Sequence, residues 1–558
     1  MTALMPMIHR SIAGADMNPR LFIVLMAWLA VLGAGFTGNP PLLAAENTET
    51  VRFDIHEYKI SGNTLLPEED IQTSLKAFTG ERKTTDDVEK ARIALETLYR
   101  DAGYPTVMVN IPEQNATDGI IDLQVVEARI NNLKIKGNRY FTMGKITRDL
   151  PIFAPGEILF LPDAKEQLFK VNMNPDLKVK PVLVPGRDGT VDVVLDVTDK
   201  LPLHGSLEVN NRASANTSDL RVNGVIHYDN LWQREHSMSV QFQTSPEDTD
   251  EVMALSLSYL IHAPWNYRHL LAAYGVFSDS AVAFGDGFKV KGKGEMAGLR
   301  YVMPVEGSQT IVHNVTFGID YKSFEDTLFM GADDEGIIQT DITPATYTPL
   351  SFVYQLSHLG KHTKTTVHAG LTLIMRGVAM EIDEYENKRF KARGNPVVFK
   401  TGLEYASALP WHLGLNLKLD AQVTDQPLVP NEQFSAGGME SVRGYRESEV
   451  SGDNAVANSV ELAFPELFSL FNDEKQVKKT VQRYKFRPYM FYDQAYLRIK
   501  DALPGEEQPG MIQGAGLGFR GFLTRYFIYQ CDWAWAMNRS NDVEAGDSRG
   551  YFRVKWAF

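Results

Sequence analysis

Residues 203–558 alternate between apolar and polar positions over short segments that are separated by polar, Gly-rich turns. In the segment from Leu413 to Val423 the odd positions are mostly Leu, whereas the even positions include Asn, Lys, Asp and Gln. A period of two places the apolar side chains on one face of a strand and the polar ones on the other. Many segments of about 10 residues with this period, without interleaved helices, are typical of a transmembrane β-barrel.

A soluble β-sandwich is the alternative for this pattern. Sandwich strands are on average shorter than these segments, and about 355 residues is long for one sandwich. At about 22 residues for each strand with its connection, that length predicts about 16 antiparallel strands, an even number as in bacterial barrels. Closure is also required, because no open backbone group can face lipid.

The C-terminal segments repeat the alternation with aromatic residues. Phe552, Val554, Trp556 and Phe558 share one face, and we expect Trp556 and Phe558 to form the C-terminal signal of the barrel. Cys531 lies on the apolar face of the preceding segment, so we expect it to pack against lipid. It is the only cysteine, which excludes an intramolecular disulfide and a multi-cysteine zinc site.

Residues 51–200 have a different pattern, in which helical and strand segments alternate. The segment that begins at Tyr58 recurs at Leu133, and each copy reads as a strand followed by a Gly-Asn turn and a helix start. We therefore predict two small α+β modules, residues 51–128 and 129–200. Each would be a small sheet with two helices packed on one face.

The spacing of apolar residues predicts the elements of these modules. Helices are predicted over Pro67–Phe78, Thr85–Arg100, Met143–Leu150 and Pro162–Val171. Strands are predicted over Tyr104–Ile111, Ile120–Val126, Ile130–Ile135, Leu177–Val184 and Thr190–Val197. In the first module, we expect the buried helix faces to include Ile71, Leu75, Val88, Ile93 and Leu95.

The N-terminus has the three parts of a secretory signal. Basic residues including Arg20 precede the apolar run 21–36, which is followed by prolines and by small residues up to Ala45. A membrane-spanning helix needs about 20 apolar residues, so a retained anchor is the less favoured alternative. We predict a signal peptide over residues 1–45 and a mature chain that begins near Glu46.

Charge and glycine patterns bear on nucleotide and nucleic-acid binding. The formal net charge is −14, and the Lys and Arg residues are scattered, which gives no electrostatic basis for nucleic-acid binding. Gly514, Gly516 and Gly518 resemble a phosphate-binding fingerprint, but no helix or βαβ unit follows them. We interpret these glycines as small residues on a barrel strand.

Candidate catalytic and metal-binding groups are sparse. His358, His362 and His368 share strand parity, but no carboxylate partner stands at a fixed spacing, so we expect no metal site. The chain has neither a Ser nucleophile elbow nor a distinctive carboxylate pair. We therefore expect a protein that is not an enzyme and binds no cofactor.

A long Gly-rich loop, about residues 424–455, separates two of the predicted strands. Loops of this length are uncommon unless they are functional. Gly437, Gly438 and Gly444 permit the backbone conformations and close approaches that a loop folded back into a barrel requires. The loop is therefore predicted to be lumenal.

Two interpretations of Arg443, which lies at the tip of this loop, remain open from the residues alone. It is either a solvated loop cation or the partner of an inward carboxylate such as Asp493, which a guanidinium would pair well.

The ordered set of motifs resembles that of the TpsB-type two-partner-secretion transporters, the POTRA-barrel proteins that export hemolysins and filamentous adhesins. The residues that match the family's loop motif are Val442, Arg443, Gly444 and Tyr445. A second family motif, an inward Asp on a later strand, matches Phe491 and Asp493, although Ala495 stands where the family often has Gly. The resemblance extends from about residue 52 to the C-terminus, and it favours pairing of Arg443 with Asp493.

The resemblance implies a monomeric barrel in the outer membrane of a Gram-negative bacterium, with two POTRA modules in the periplasm. Its function would be to capture an unfolded secreted partner, of a suspected β-solenoid type, and to export it without nucleotide hydrolysis. Because few residues separate Glu46 from the first module, no N-terminal plug helix is expected. An insertase for other outer-membrane barrels is the alternative, and a passive pore or receptor is a third hypothesis.

Overall fold

The structure, a computed structural model, describes residues 52–558 apart from positions 116–117, 188, 216, 250–251, 280–281, 285–287, 291–292, 334–335, 376–384, 387, 467–484, 525 and 542. The predicted signal peptide, residues 1–45, and the expectations for the mature start and a plug helix lie outside the described residues. Contacts divide the chain into two units between Pro202 and Leu203. Among the described residues, no helix is both long and apolar enough to cross a membrane.

The first module combines two helices with a three-stranded sheet. Its elements are β1 (Phe53–Ile55), β2 (Glu57–Ser61), α1 (Glu68–Leu75), β3 (Gly80–Lys83), α2 (Thr85–Asp101), β4 (Val107–Asn110) and β5 (Ile120–Glu127). The sheet has the order β2-β5-β4, with β2 parallel to β5, and β1 pairs separately with β3. The helices bury Ile71, Leu75, Val88 and Leu95 in the core. The prediction for Ile93 is wrong, because this residue lies on the outer face of α2 and is 48% exposed.

The second module repeats this plan. Its elements are β6 (Ile130–Lys136), α3 (Met143–Asp149), α4 (Leu161–Asn172), β7 (Leu177–Pro185) and β8 (Val191–Asp199). The sheet order is β6-β8-β7, again with the first strand parallel to the central one and an antiparallel strand at the other edge. Both modules therefore have the predicted α+β character.

The recurring Gly-Asn segment forms the same turn in both modules. The side-chain amides of Asn63 and Asn138 each donate to a backbone carbonyl three residues ahead, at 2.9 Å. Glu127 and Asp199, at the ends of β5 and β8, accept the backbone N–H groups that follow the turn. Asp199 accepts three of them, at 2.7 to 2.9 Å, so one carboxylate satisfies three donors that the turn leaves free.

In the described part of the chain, sixteen antiparallel strands close into a barrel, which confirms the predicted fold class. They are β9 (Leu203–Asn210), β10 (Arg221–Leu231), β11 (His236–Thr244), β12 (Met253–Ala263), β13 (Asn266–Asp279), β16 (Lys293–Val305), β17 (Ile311–Asp333), β18 (Gly336–Tyr347) with β19 (Pro349–Leu359), β20 (Thr363–Ile374), β21 (Val397–Ala408), β22 (Gly414–Thr424), β25 (Asn454–Ala463), β26 (Lys485–Arg498), β27 (Gly510–Thr524), β28 (Phe527–Ala536) and β29 (Ser548–Ala557). Two short hairpins lie outside this wall, namely β14 (Val282–Phe284) with β15 (Phe288–Val290) and β23 (Phe434–Ala436) with β24 (Val450–Gly452).

β18 and β19 together form one strand of the wall. They are separated by Thr348 alone, and both pair with β17. The first part of β17 pairs with β19, and its second part, from Lys322 onward, pairs with β18. The long β17 and its interrupted partner therefore extend beyond the neighbouring strands as one hairpin.

Side chains alternate across the wall as the sequence predicts. On β12, Leu255 and Leu257 are 48% and 46% exposed and face outward, whereas Ser256 between them is 6% exposed. At the C-terminus, Trp556 and Phe558 also face outward, and their ring centroids lie 5.1 Å apart. The backbone of Phe558 exchanges hydrogen bonds with Gly205 of β9, so the chain end takes part in barrel closure.

Candidate functional site

The connection between β22 and β25, residues 425–453, folds back into the barrel lumen, and we call it the lumenal loop. The β23–β24 hairpin pairs the segments on either side of the loop tip, which comprises residues 437–449. Within the tip, Val442 and Tyr445 have no exposed surface, and Val442 belongs to an apolar cluster with inward-facing residues of the wall such as Ala495. The barrel wall thus buries the tip on the inside.

Three glycines give the tip its turns. Gly437, Gly438 and Gly444 have φ angles of +112°, +97° and +109°, in the region that favours glycine. At Gly444 a Cβ would also press against the backbone of Trp535 and Ala536 on β28. Close contact between loop and wall is therefore possible at Gly444 because this position lacks a side chain.

Arg443 and Asp493 are in direct contact inside the barrel. The Arg443 Nε atom lies 2.7 Å from Oδ2 of Asp493 and Nη2 lies 2.9 Å from Oδ1, a bidentate geometry. The Arg443 backbone N–H donates to the same carboxylate at 3.2 Å. The two side chains are 7% and 0% exposed. Charge-assisted bidentate pairs are among the strongest polar contacts in proteins.

The surroundings of Arg443 contain more acidic groups than the one carboxylate considered from sequence. Its Nη1 atom lies 3.4 Å from Asp532 on β28 and 3.9 Å from Glu461 on β25, and Glu461 also contacts Arg520. The Phe491 ring stacks against the guanidinium, with the Arg443 Cζ atom 3.3 Å from the ring centroid. The site is therefore a charge network, which we call the Arg443 cluster.

Tyr445 attaches the other side of the tip. Its hydroxyl lies 2.8 Å from the carbonyl oxygen of Asn538 and 3.0 Å from that of Gln513. Tyr551 of β29 donates its hydroxyl proton to the Tyr445 carbonyl at 2.6 Å and accepts the Gly444 N–H at 2.8 Å. The loop motif thus contacts the wall through backbone and side chains alike.

Three glycines on β27 have a packing function that the sequence did not reveal. A Cβ on Gly514 would overlap the Arg443 carbonyl oxygen, one on Gly516 would collide with Phe491, and one on Gly518 would collide with Asp532. Their spacing of two residues places them on the same strand face, and this is the signal that could have identified them. Gly514 thus leaves room for the tip of the lumenal loop, and the other two leave room for wall side chains of the Arg443 cluster.

The base of the lumenal loop has polar contacts that the sequence also did not reveal. The Glu432 carboxylate accepts from Lys322 Nζ at 2.5 Å and from the Tyr347 hydroxyl at 2.9 Å. Asp453, which has no exposed surface, accepts the backbone N–H of Leu428 at 2.9 Å. The three histidines considered above do not support a metal site. Phe352 on β19 and Leu371 on β20 are paired and both face outward. His358 shares the parity of Phe352 and faces outward, whereas His368 has the opposite parity to Leu371 and faces the lumen.

Two family profiles match the chain. The family described as haemolysin secretion/activation protein ShlB/FhaC/HecB matches residues 189–521, which is more than half of the chain. The chain belongs to this family. The profile described as POTRA domain, ShlB-type, matches residues 53–128. The ShlB/FhaC/HecB proteins are outer-membrane transporters rather than an enzyme family, which confirms the predicted family, the outer-membrane location of the barrel and the periplasmic location of the POTRA modules.

Individual relatives agree with this assignment. The outer membrane transporter CdiB of Dickeya dadantii (strain 3937) is 23% identical over 428 residues, which cover 74% of this chain and 72% of that protein. The structure of CdiB from Escherichia coli is similar with a TM-score of 0.55 and 19% identity, covering 99% of this chain and 97% of that one. BamA from Haemophilus ducreyi lacking POTRA domains 1–3 has a TM-score of 0.53 and 15% identity, covering 91% and 100%. At these identities the structural similarities show the fold alone.

Proposed function

We propose that this transporter captures an unfolded secreted partner in the periplasm and exports it through the barrel lumen without nucleotide hydrolysis. The observation that carries the proposal is the lumenal loop, which occupies the lumen and is held there by the buried Arg443 cluster. Barrels of about 16 strands leave an aqueous channel when nothing fills them. A loop attached only by non-covalent contacts can move aside, so an extended chain can pass.

β7 provides a strand edge for capture of the partner, because among the described residues it pairs on one side only, with β8. It is an outer strand of the β6-β8-β7 sheet, and Val182, Leu183 and Val184 are 47%, 44% and 42% exposed. An exposed apolar edge is a template for strand addition, in which backbone hydrogen bonds confer affinity with little demand on sequence. This mode suits an unfolded partner, and we propose a β-solenoid protein because such a chain forms strands readily.

The direction of transport needs no nucleotide in this proposal. A partner that folds outside the cell can no longer return through the lumen, so its folding makes export irreversible. The glycines of β27, which resemble a phosphate-binding fingerprint, are accounted for by close packing, Gly514 against the loop tip and the other two against wall residues of the Arg443 cluster. We propose that a monomer suffices, because a single chain closes the whole barrel.

The test is secretion of the cognate partner by cells that produce variants of β7. Val182→Lys combined with Val184→Lys places cations on the edge, which opposes strand addition, and we expect secretion to fall about tenfold or more. The control is Phe169→Lys on α4, an apolar side chain in the same module that is 65% exposed. Heat-modifiable gel mobility verifies barrel folding in each variant. Secretion at the parental level by the β7 variant would contradict capture at this edge.

An insertase function is the second candidate, and one feature of the barrel favours it. The ladder between β29 and β9, which closes the wall, pairs five residues, from Arg553 with Asn210 to Ala557 with Ser206, and the hydrogen bonds between Phe558 and Gly205 extend it. The adjoining β9–β10 ladder pairs eight. A short closing ladder opens more readily, and an insertase needs an open edge to template strands of another barrel. Loss of other outer-membrane barrels on depletion of this protein, with secretion unaffected, would establish this candidate instead.

A further inference from the structure

The lumenal loop is tied to the wall at two separate places. The tip is held by the Arg443 cluster, whose acidic residues lie on β25, β26 and β28. The segment that precedes the β23–β24 hairpin, residues 425–433, is held by other contacts, and we call this segment the outer arm. Its Val429 packs in an apolar cluster with wall residues such as Phe324, and Glu432 makes its ion pair with the wall. Glu432 is 5% exposed and contacts Lys322 on β17 and Tyr347 on β18.

The two attachments lie on distant parts of the wall. The strands β20, β21, β22 and β25 lie between the β18–β19 strand and β26 in the order of the barrel. The chain from Glu432 to Arg443 therefore runs across the lumen rather than along one side of it. Lys322 pairs with Met296, close to the first residue of β16. Strands alternate in direction around the wall, so this is the end of the barrel at which β22 leads into the lumenal loop, and the outer arm lies in the outer half of the lumen.

The two attachments differ in strength. Arg443 makes a bidentate contact and has two further carboxylates within 4 Å. Glu432 contacts one flexible lysine, whose side chain is 17% exposed, and one tyrosine hydroxyl. Lys400 is a further cation near its carboxylate, but no direct hydrogen bond joins the two. A planar guanidinium fork is pre-organised for a carboxylate, whereas a lysine ammonium makes a less directional contact. The attachment at Glu432 is therefore expected to release first.

The local structure allows the outer arm to move without the tip. The β23–β24 hairpin joins Phe434–Ala436 to Val450–Gly452, so the tip is closed as a unit of its own. Asp453 accepts from the backbone N–H of Leu428 at 2.9 Å and from the Gln433 side chain at 3.1 Å. These two contacts retain the arm near its base, and Glu432 connects it to the far wall.

We propose that Glu432 is a second positioning residue of the transporter, which with Lys322 keeps the outer half of the lumen closed and releases before the Arg443 cluster during export. This inference rests on the proposed function, because it takes the lumen to be the export path. Because its ion pair is the weaker of the two, the outer arm would be displaced from the wall while the tip remains attached at Arg443.

The experiment measures single-channel conductance of the purified full-length protein in planar bilayers, without partner. Glu432→Gln preserves side-chain shape and removes the charge, and Lys322→Met removes the other charge. We expect each to raise the open probability about tenfold, as the loss of one charge-assisted contact predicts. The charge-reversed double variant, Glu432→Lys with Lys322→Glu, should return towards the parental value. A return of the open probability in the charge-reversed variant would indicate an ion pair, because a general loosening of the barrel would not be reversed by exchanging the two charges.

Glu404→Gln is the matched control, since Glu404 is an exposed carboxylate on the lumenal face of β21 and lies outside the lumenal loop. It tests whether loss of any lumenal charge changes conductance, and it should leave the open probability unchanged. Parental open probability in both Glu432→Gln and Lys322→Met, or an equal rise in Glu404→Gln, would overturn the proposal. Because conductance is measured without partner, these results are independent of secretion, whose absence in the parent would instead contradict the proposed function.

Discussion

The carbonyl oxygen of Arg443 lies so close to Gly514 of β27 that a Cβ atom on residue 514 would overlap it. The wall at this point is formed by backbone alone, and the loop motif rests directly on it. At this point of contact the Arg443 Nε atom also lies 2.7 Å from Oδ2 of Asp493. Contact between strand backbone and loop backbone thus accompanies the ion pair.

Gly514→Ala is expected to displace the loop tip, because neither the strand backbone nor the Arg443 carbonyl can shift freely. We expect lower secretion of the partner and faster proteolysis of the lumenal loop in otherwise folded barrels. Gly275→Ala on β13 is the control, since a Cβ there would meet one backbone oxygen at 3.9 Å, an ordinary contact. Equal behaviour of the two variants would refute the close approach at Gly514.

Arg443→Ala should impair export more than Asp493→Ala. The first change leaves three carboxylates without their shared cation, whereas the second leaves Arg443 near Asp532 and Glu461. Removing one partner of a buried ion pair typically costs about 3–5 kcal/mol, and we expect the Arg443 variant to lie at the upper end. Loop proteolysis and secretion, measured in parallel on both variants, provide the comparison.

The double variant tests whether the two residues act together. If they do, combining Arg443→Ala with Asp493→Ala should be no worse than Arg443→Ala alone, because the second change removes a charge that is already unpaired. Arg443→Lys should retain partial activity, since it keeps the charge and loses the planar fork. Fully additive defects would show that the residues act separately.

Asp199→Ala should destabilise the second POTRA module by about 2 kcal/mol, because it leaves three backbone N–H groups without their acceptor. Asp196→Ala on the same strand should change stability by no more than about 0.5 kcal/mol. Asp196 makes one exposed ion pair, with Lys136 at 3.8 Å, and such pairs contribute little. Denaturant unfolding of the full-length protein, followed by circular dichroism of the helices, distinguishes the two changes.

The start of α2 should lose stability in acid. The backbone hydrogen bond from Thr84, 2.9 Å long, holds the pKa of Asp87 below its ordinary value, and the Thr84 hydroxyl adds to this effect. A lowered folded pKa stabilises the module above the unfolded pKa of about 3.9, and this stabilisation disappears as the pH falls through the folded value. Asp87→Asn should reduce the pH dependence of unfolding below about pH 4.

The alternating pattern was sufficient to predict the barrel and its strand number, because each wall strand presents one face to lipid and one to the lumen. The interrupted strand at Thr348 could not be predicted from this pattern. The break depends on how far β17 extends beyond its neighbours, and that is a property of the pairing register rather than of any local segment.

The site was predictable only where a motif indicated it. Arg443 and Asp493 were singled out by motif, but Asp532, Glu461 and Glu432 are single carboxylates in a charged-residue background, and no spacing separates them from solvated ones. Asp532, for example, lies 89 residues from Arg443 in the sequence, and the strand register of the barrel brings the two together. Such contacts require the closed barrel before they can be recognised.

Site-specific crosslinking of a stalled partner is the most direct test of export through the lumen. A photo-crosslinking residue at Glu404 faces the lumen, and one at Phe399 on the same strand faces outward, where that side chain is 46% exposed. A partner carrying a domain that folds prematurely should stall during export. The account predicts crosslinks to the partner from position 404 and none from position 399. Crosslinks from position 399, or none from position 404 while secretion proceeds, would contradict it.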